Sequence, residues 1–588
     1  MKFGIESYSL SAPYSVIISI FFIIGFYKIG KIIFKINFVR DSVKNVSSIN
    51  YQYIILTLLL ISIIFYPLTL FVKLDEVIFK TLSIIILSFG IVHTIEKLVY
   101  FIRLNSLIIT KNINIKEIIL TIYLFGFFLL SLGPITDADS LDYHISVPLY
   151  VLNNGLFPKD ITWFHAAQAG LGEIPIIFGL AIGAEQFGSL CQFSGLISIF
   201  GILKKNITNI QNRENLNKTF YLILLFFSIP VLIFLNSTVK PQIILISYSS
   251  LAFVITIYNF SYDNKKNNFF KFFLITLLLF ASYEGKFSFI LSSFIIWSIA
   301  AYKMIKGKHY ENIFLITILF LFIAYPSLYW KYLNYDGNFI NKIYFPLFQA
   351  IEGYDQLYES LNQCEFPCSK TFFLIPNSLG RYTESIGVAI FVIIIIFIVR
   401  EKNKILVISS IFFYLFVLYN FGKFSPRFII EPILWSIILI KNSNINFELT
   451  YFKFFKTLII LQSFVSFLAI LVGIFTISIG SLSAKLKDHV LKSSAYGYDL
   501  SQWVNKNFDG NKKILYTHRS ISFLESEIVH TDFLYYTNNI KYLLLLKEKK
   551  PDFLVIQSNS PESHKKLIAC TSSIYRKKEN FFKQTSRN

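Results

Sequence analysis

Residues 52–72 read QYIILTLLLISIIFYPLTLFV, twenty-one positions without one charged side chain. Crossing a bilayer core takes roughly 20 mostly apolar residues as a helix. Lipid offers no partner to bare backbone N–H and C=O groups, so such a run crosses as a helix and not as a lone strand. Comparable runs recur on both sides of it, at 13–35, 78–96, 115–133, 187–204, 218–236, 241–259, 270–284, 287–304, 312–331, 386–400, 405–420, 427–441 and 456–482. The alternating pattern of barrel strands is absent. The expected fold class is therefore an α-helical polytopic membrane protein with about fourteen spans. Residues 13–35 are read as a retained helix, because no small-residue cleavage site follows them.

Composition agrees. Of 588 residues, 54% are hydrophobic and 15% charged, against about 25% charged in soluble proteins. The net charge of +20 would suggest nucleic acid in a soluble chain. Here the basic residues have another explanation. Lys28, Lys31, Lys35, Arg40 and Lys44 follow the first span; Lys97, Arg103, Lys111 and Lys116 follow the third. Further clusters lie at Lys204–Lys218, Lys265–Lys271, Lys303–Lys308, Arg400–Lys404 and Lys441–Lys456. All fall on one side of the expected spans, and the positive-inside rule makes that side the cytoplasm. Nucleic acid is not an expected partner, and both termini are expected outside.

This bookkeeping decides residues 169–183 (AGLGEIPIIFGLAIG), which look like a span by hydropathy alone. Counting them as one would move Lys204, Lys205, Arg213 and Lys218 outside and invert every later loop. They are expected to lie in the outer interface or to dip part-way in, with Glu173 near the membrane surface. Three outer segments result: 134–186, 332–385 and the polar tail 485–588. In the tail, KKILYTH and DFLVIQS read as short buried strands, and SQWVNKNF and IKYLLLLKEKK as amphipathic helices. The expected organisation is a transmembrane part, 1–484, and a small extracytoplasmic α/β domain, 485–588. Four cysteines are too few for a disulfide scaffold, although Cys364 and Cys368 (CEFPC) in an outer loop allow one small closed loop.

The densest polar stretch is PITDADSLDYHISVPLYVLNNG, residues 134–155. Asp137, Asp139, Asp142 and His144 stand within eight positions at the outer end of a span. A helix starting near Ser140 would put Asp139, Asp142 and Tyr143 on neighbouring faces, and Gly155 would stop it. The plain alternative is that Thr136, Asp137 and Asp139 cap this helix. Three acids, a histidine and a tyrosine together exceed what capping needs. With His165 they also leave room for a divalent ion, although Asp137-Ala138-Asp139 alone says little about metal. The outer turns carry basic residues against the general rule: Lys240 (NSTVKPQ), Lys286 (SYEGKFS), Lys423 and Arg427 (FGKFSPRF). Singly, each reads as a snorkelling anchor. As a set they read as a phosphate site, with Arg427 the best matched by its guanidinium fork.

The stretch resembles the first outer loop of membrane-embedded GT-C glycosyltransferases, the dolichyl-phosphate-mannose protein mannosyltransferase-like and aminoarabinose-transferase-like superfamily. Those enzymes carry an Asp at the outer end of an early span, often followed four residues later by Tyr, as Asp139 and Tyr143 are here. A bacterial branch reads D-x-L-x-Y-H, then a Pro and a Gly-terminated helix. Asp139, Leu141, Tyr143, His144, Pro148 and Gly155 match it. Two departures stand beside it: the later turn NSTVKPQ carries Lys240 and no acid, and three or four spans precede the Asp-bearing loop where one is commonest.

The resemblance implies an inverting glycosyltransferase that moves a sugar from a polyprenyl-phosphate donor to a lipid, glycan or protein acceptor, in a bacterial plasma membrane. Asp139 is then the catalytic carboxylate supported by Asp142 and His144. Asp137, Tyr143, Glu173, Lys240, Lys286, Lys423 and Arg427 bind substrate. No cofactor is assigned, a divalent cation stays open, and no metal ligands are assigned. The alternatives are a transporter or flippase of a lipid-linked saccharide, and a non-catalytic assembly factor.

Overall fold

The computed structural model describes residues 4–35, 40, 42–43, 45–104, 114–159, 163–205, 213–260, 265–334, 379–399, 404–420, 426–445, 447, 449–508, 510, 512–516, 518–530 and 548–555. Among them, eight helices are long and apolar enough to cross a membrane: Tyr14–Ile33, Tyr53–Phe71, Glu76–Phe101, Phe187–Lys204, Phe287–Lys306, Tyr310–Asn334, Arg381–Ile398 and Phe452–Thr476. The protein is a multi-pass helical membrane protein. A ninth span results if Asn215–Phe227 and Pro230–Ser237, bent by 59°, count as one. The bend has a cause. Pro230 has no N–H to donate and its ring clashes with the preceding turn; the Val231 N–H of the broken turn goes instead to Ser385 O at 3.0 Å. Helices also occupy 115–130, 243–254, 265–285, 404–420 and 426–441.

Phe187–Lys204 is 83% buried, whereas Tyr310–Asn334 and Phe452–Thr476 are 22% buried. The first therefore sits at the centre of the bundle and the others at its rim. Tyr14–Ile33 and Glu76–Leu104 cross tightly: a Cβ at Gly25 would overlap the Ile86 carbonyl, and one at Gly90 the Phe21 carbonyl. Small residues at a crossing let two backbones approach where no hydrophobic force drives helices together.

Helix ends at one end of the bundle are closed by buried lysines. Lys303 donates to Thr256 O at 2.7 Å and Ile257 O at 3.1 Å. Lys271 donates to Asn259 O, Lys218 to Ser443 O, and Lys441 to Ile202 O and Lys205 O. The last carbonyls of a helix have no intrahelical donor and carry partial negative charge, so ammonium groups satisfy both needs.

Residues 169–183 hold no helix long enough to cross by itself. The helical run Leu171–Leu180 spans about 15 Å at 1.5 Å per residue, half a hydrocarbon core. Of the two expected placements, lying in the outer interface or dipping part-way in, its burial fits the second. Ile174 through Leu180 are all buried, and Ser83 Oγ donates to Phe178 O at 2.8 Å. The segment plugs the bundle, and Glu173 is enclosed by protein.

The C-terminal segment contributes helices Ala484–Ser494 and Tyr498–Asn507 and a three-stranded parallel sheet ordered β2-β1-β3, with β1 Lys513–Tyr516, β2 Glu527–Val529 and β3 Phe553–Val555. Strands in KKILYTH and DFLVIQS and the helix in SQWVNKNF agree with expectation; β2 was not foreseen, and most of IKYLLLLKEKK lies outside the described residues. Tyr496 N donates to Thr136 O at 3.1 Å and Gln502 Nε2 to Glu6 at 3.0 Å. The tail and the N-terminal residues thus rest on the bundle end that bears residues 134–144.

Candidate functional site

Helix Ile115–Leu130 delivers the chain to Pro134. Asp137 Oδ1 then accepts the Ser140 N–H at 3.1 Å, so the capping role expected of it is real. The next five residues, Ser140–His144, form one buried turn wider than an α-turn. Such widened turns occur often at functional sites. Helix Ser146–Asn154 follows and ends at Gly155, whose φ of 77° favours glycine. The wide turn spreads the side chains of Asp139, Asp142, Tyr143 and His144 over several directions.

Each acid has a cationic partner. Lys240 Nζ lies 3.1 Å from Asp137 and 2.8 Å from Asp139, and 4.6 Å from the Phe234 ring centroid. Arg519 Nη2 lies 2.6 Å from Asp139, and its Nε donates to Asp142 at 2.8 Å. Asp142 also meets His165 Nδ1 at 3.1 Å. Burial pushes the Asp139 carboxyl up, but Lys240 and Arg519 outweigh it and hold the group far below the usual carboxylate range. Asp142 is held low in the same way, by His165 and then Arg519 against burial. The two acids in turn raise the Arg519 guanidinium.

A second pair lies deeper. His144 Nδ1 is 2.6 Å from Glu173 Oε1, and Glu173 Oε2 accepts the Gly170 N–H at 2.7 Å. Both side chains are enclosed, 3% and 1% exposed, so a partner matters more than it would in water. Burial lowers the His144 imidazole; its hydrogen bond to Glu173 opposes this, and the nearby Lys286 adds to it. His144 Nε2 is buried without a hydrogen-bond partner among the described residues. The Tyr143 ring lies 4.0 Å from the His144 ring and stacks at 5.9 Å on His165.

Lys286 and Arg427 complete the cluster from two other turns. Burial, then repulsion by Arg427 and Lys240, brings the Lys286 ammonium down to about 7, against the pull of Asp139 and Glu173. Arg427 stands 5.0 Å from the Phe428 ring centroid, and its buried Nε has no hydrogen-bond partner among the described residues. Cations that repel one another in a buried cluster are an arrangement suited to an anion.

The structure therefore brings together Asp137, Asp139, Asp142, Tyr143, His144, Glu173, Lys240, Lys286 and Arg427. Lys423, like Cys364 and Cys368, lies outside the described residues. Among the described residues no three His, Cys, Asp or Glu side chains group to hold a metal, and Lys240 bridges the D-x-D pair where that motif would seat an ion.

A family model matches this chain over residues 1–106 and 92–491. The chain belongs to the family described as the DUF1420 N-terminal domain. No curated protein and no solved structure matches it. The DUF1420 N-terminal domain, as matched, holds every sequence-chosen member of the cluster. Arg519 falls beyond it, in the loop after β1, and sequence reasoning missed it. The only signal was an arginine in THRS at the end of a buried strand; nothing in the sequence ties that loop to Asp139.

Proposed function

We propose that the protein is an integral membrane glycosyltransferase that moves a sugar from a polyprenyl-phosphate carrier to an acceptor at the outer face of a membrane. One observation carries the reading. Three acids, a histidine–glutamate pair and four cations chosen from distant parts of the chain meet in one buried cluster, and two of the cations, Lys286 and Arg427, make no ion pair there among the described residues. A leaving phosphate needs cations, and an acceptor hydroxyl or amine needs a proton acceptor. The cluster sits at the bundle end opposite the lysine-capped end, in line with the positive-inside rule placing it outside.

In this reading fourteen helices make up the membrane part, residues 485–588 form an extracytoplasmic α/β domain, both termini lie outside, and the membrane is a bacterial plasma membrane. Lys286 and Arg427 hold the donor phosphate, and Asp139 and Asp142 keep Lys240 and Arg519 beside it. The acceptor is a lipid, glycan or protein. The test uses the full chain in nanodiscs with a panel of polyprenyl-phosphate sugars, and measures release of polyprenyl phosphate. Release with one donor, weakened at limiting donor by Arg427→Ala, supports the reading; no release from any donor, with or without acceptor extract, refutes it.

One observation favours a transporter of lipid-linked saccharide instead. Glu431 is buried within helix Pro426–Lys441 and accepts hydrogen bonds from Ser249 Oγ and, at 3.1 Å, Tyr414 Oη. An ionisable group within a span is a functional signal by default. Here it is served by hydroxyls from two neighbouring helices, as a structural latch would be. Saccharide flux in proteoliposomes that Glu431→Gln abolishes would favour transport.

A further inference from the structure

We propose that His144, oriented by Glu173, is the general base that takes the acceptor's proton, and that Asp139 is not. This deepens the glycosyltransferase reading and rests on it. A general base works best when its pKa lies near the working pH. Asp139 is gripped by Lys240 at 2.8 Å and Arg519 at 2.6 Å. Both cations stabilise its charged form, so it has little affinity for a proton. Its charge is used in holding them.

His144 has the opposite character. Glu173 Oε1 accepts at Nδ1 over 2.6 Å, which puts the ring proton on Nδ1 and the lone pair on Nε2. Glu173 is itself held by the Gly170 N–H at 2.7 Å, so the ring cannot easily turn. A carboxylate behind one imidazole nitrogen, with the other nitrogen left for a substrate, is the orienter–base arrangement of acid–base catalysis. That other nitrogen is Nε2, buried and satisfied by no described residue. A buried polar atom without a partner costs stability, and an acceptor hydroxyl would satisfy it. The charged groups acting on the ring are Glu173, Lys286 and Asp139. Burial favours the neutral imidazole and Lys286 adds to it; Lys286 also belongs to the cation group around the donor phosphate. The base and the phosphate site are thus neighbours.

The step balances as follows. The acceptor O–H passes its proton to His144 Nε2 as its oxygen bonds to the sugar's anomeric carbon. The anomeric C–O bond to phosphate breaks, and its electron pair leaves on the polyprenyl phosphate. That group's added negative charge falls to Lys286 and Arg427. The imidazolium formed on His144 is stabilised by Glu173.

Three variants of the full chain in nanodiscs test this, with transfer and binding of sugar-free polyprenyl phosphate measured side by side. His144→Asn keeps a donor toward Glu173 and removes the Nε2 base. It is expected to lower kcat at least a hundredfold at every pH, the usual worth of a general base being about 10²–10⁴, while polyprenyl phosphate still binds. Glu173→Gln removes the charge that favours the imidazolium. Its acid limb of kcat/KM should move to lower pH, a change that a merely structural role would not produce. Asp139→Asn should raise the donor KM more than it lowers kcat, because it loosens the cations without touching the base. Wild-type-like kcat in His144→Asn, or an unmoved acid limb in Glu173→Gln, overturns the assignment while transfer by the wild type leaves the glycosyltransferase reading intact. A wild type that transfers from no donor overturns both.

Discussion

Arg519 Nε donates to Asp142 Oδ2 at 2.8 Å across 377 positions of sequence. The same guanidinium grips Asp139 at 2.6 Å. One side chain from the tail thereby closes a pair of acids carried by the first large loop, and two separate parts of the chain share one site. Asp142 is only 5% exposed, Arg519 36%. The buried carboxylate keeps His165 at 3.1 Å as its other partner.

Arg519→Ala should destabilise the fold modestly. The partly exposed arginine limits its own worth to about 1 kcal/mol, and Asp142, left with His165 alone at 3.1 Å, adds to the loss. The pH dependence has a definite sign. Asp139 and Asp142 are depressed in the fold, so their pairing stabilises above the unfolded carboxylate value of about 3.9 and is lost as pH falls through the depressed folded values. The melting-temperature gap between wild type and Arg519→Ala should therefore be steady from pH 8 to pH 5 and shrink below about pH 4. A gap that grows on acidification would mean the pairs carry no stability.

Much of this was legible in sequence. Helices 52–72 and 187–204 announced themselves by length and lack of charge, and Gly155 by its place after Asn153 and Asn154. Local chemistry also singled out nine of the clustered side chains, because an acid or a cation at a membrane boundary is costly to keep without use. Arg519 was not legible. Its role depends on where a soluble loop docks, and docking is a matter of tertiary shape that no local pattern encodes. The enclosure of Glu173 was not legible for a related reason: hydropathy ranks 169–183 as apolar but does not say whether lipid or protein surrounds it.

In the proposed reading, Lys286 should tie donor binding to pH. Its ammonium is brought down to about 7 by burial and by Arg427 and Lys240. It is charged below that value and neutral above it. Binding of sugar-free polyprenyl phosphate, measured from pH 6 to pH 9, should weaken as pH rises through 7. Lys286→Gln should bind more weakly at pH 6 and lose most of that pH dependence. Arg427→Ala should weaken binding by about 1.5–3 kcal/mol, the usual worth of hydrogen bonds to a charged group, and keep the pH dependence. An equally steep pH profile in Lys286→Gln would place the titrating group elsewhere.

Membrane orientation gives the last prediction. The lysine-capped end holds Lys218, Lys271, Lys303 and Lys441 against helix carbonyls. The other end holds the acid–cation cluster and the tail. Positive loops stay inside, so the lysine end should face the cytoplasm and the cluster the outside. Lys159 and Lys205 are both exposed, and they belong to opposite ends: Lys159 follows Gly155 in the site-bearing loop, whereas neighbouring Lys204 pairs with Glu117 at 3.4 Å near the start of helix Ile115–Leu130. In a cysteine-free background, Lys159→Cys should react with an impermeant maleimide added to intact cells. Lys205→Cys should react only after permeabilisation. If Lys205→Cys labels from outside and Lys159→Cys does not, the bundle is inverted, the cluster faces the cytoplasm, and a donor presented on the outer leaflet could not reach it.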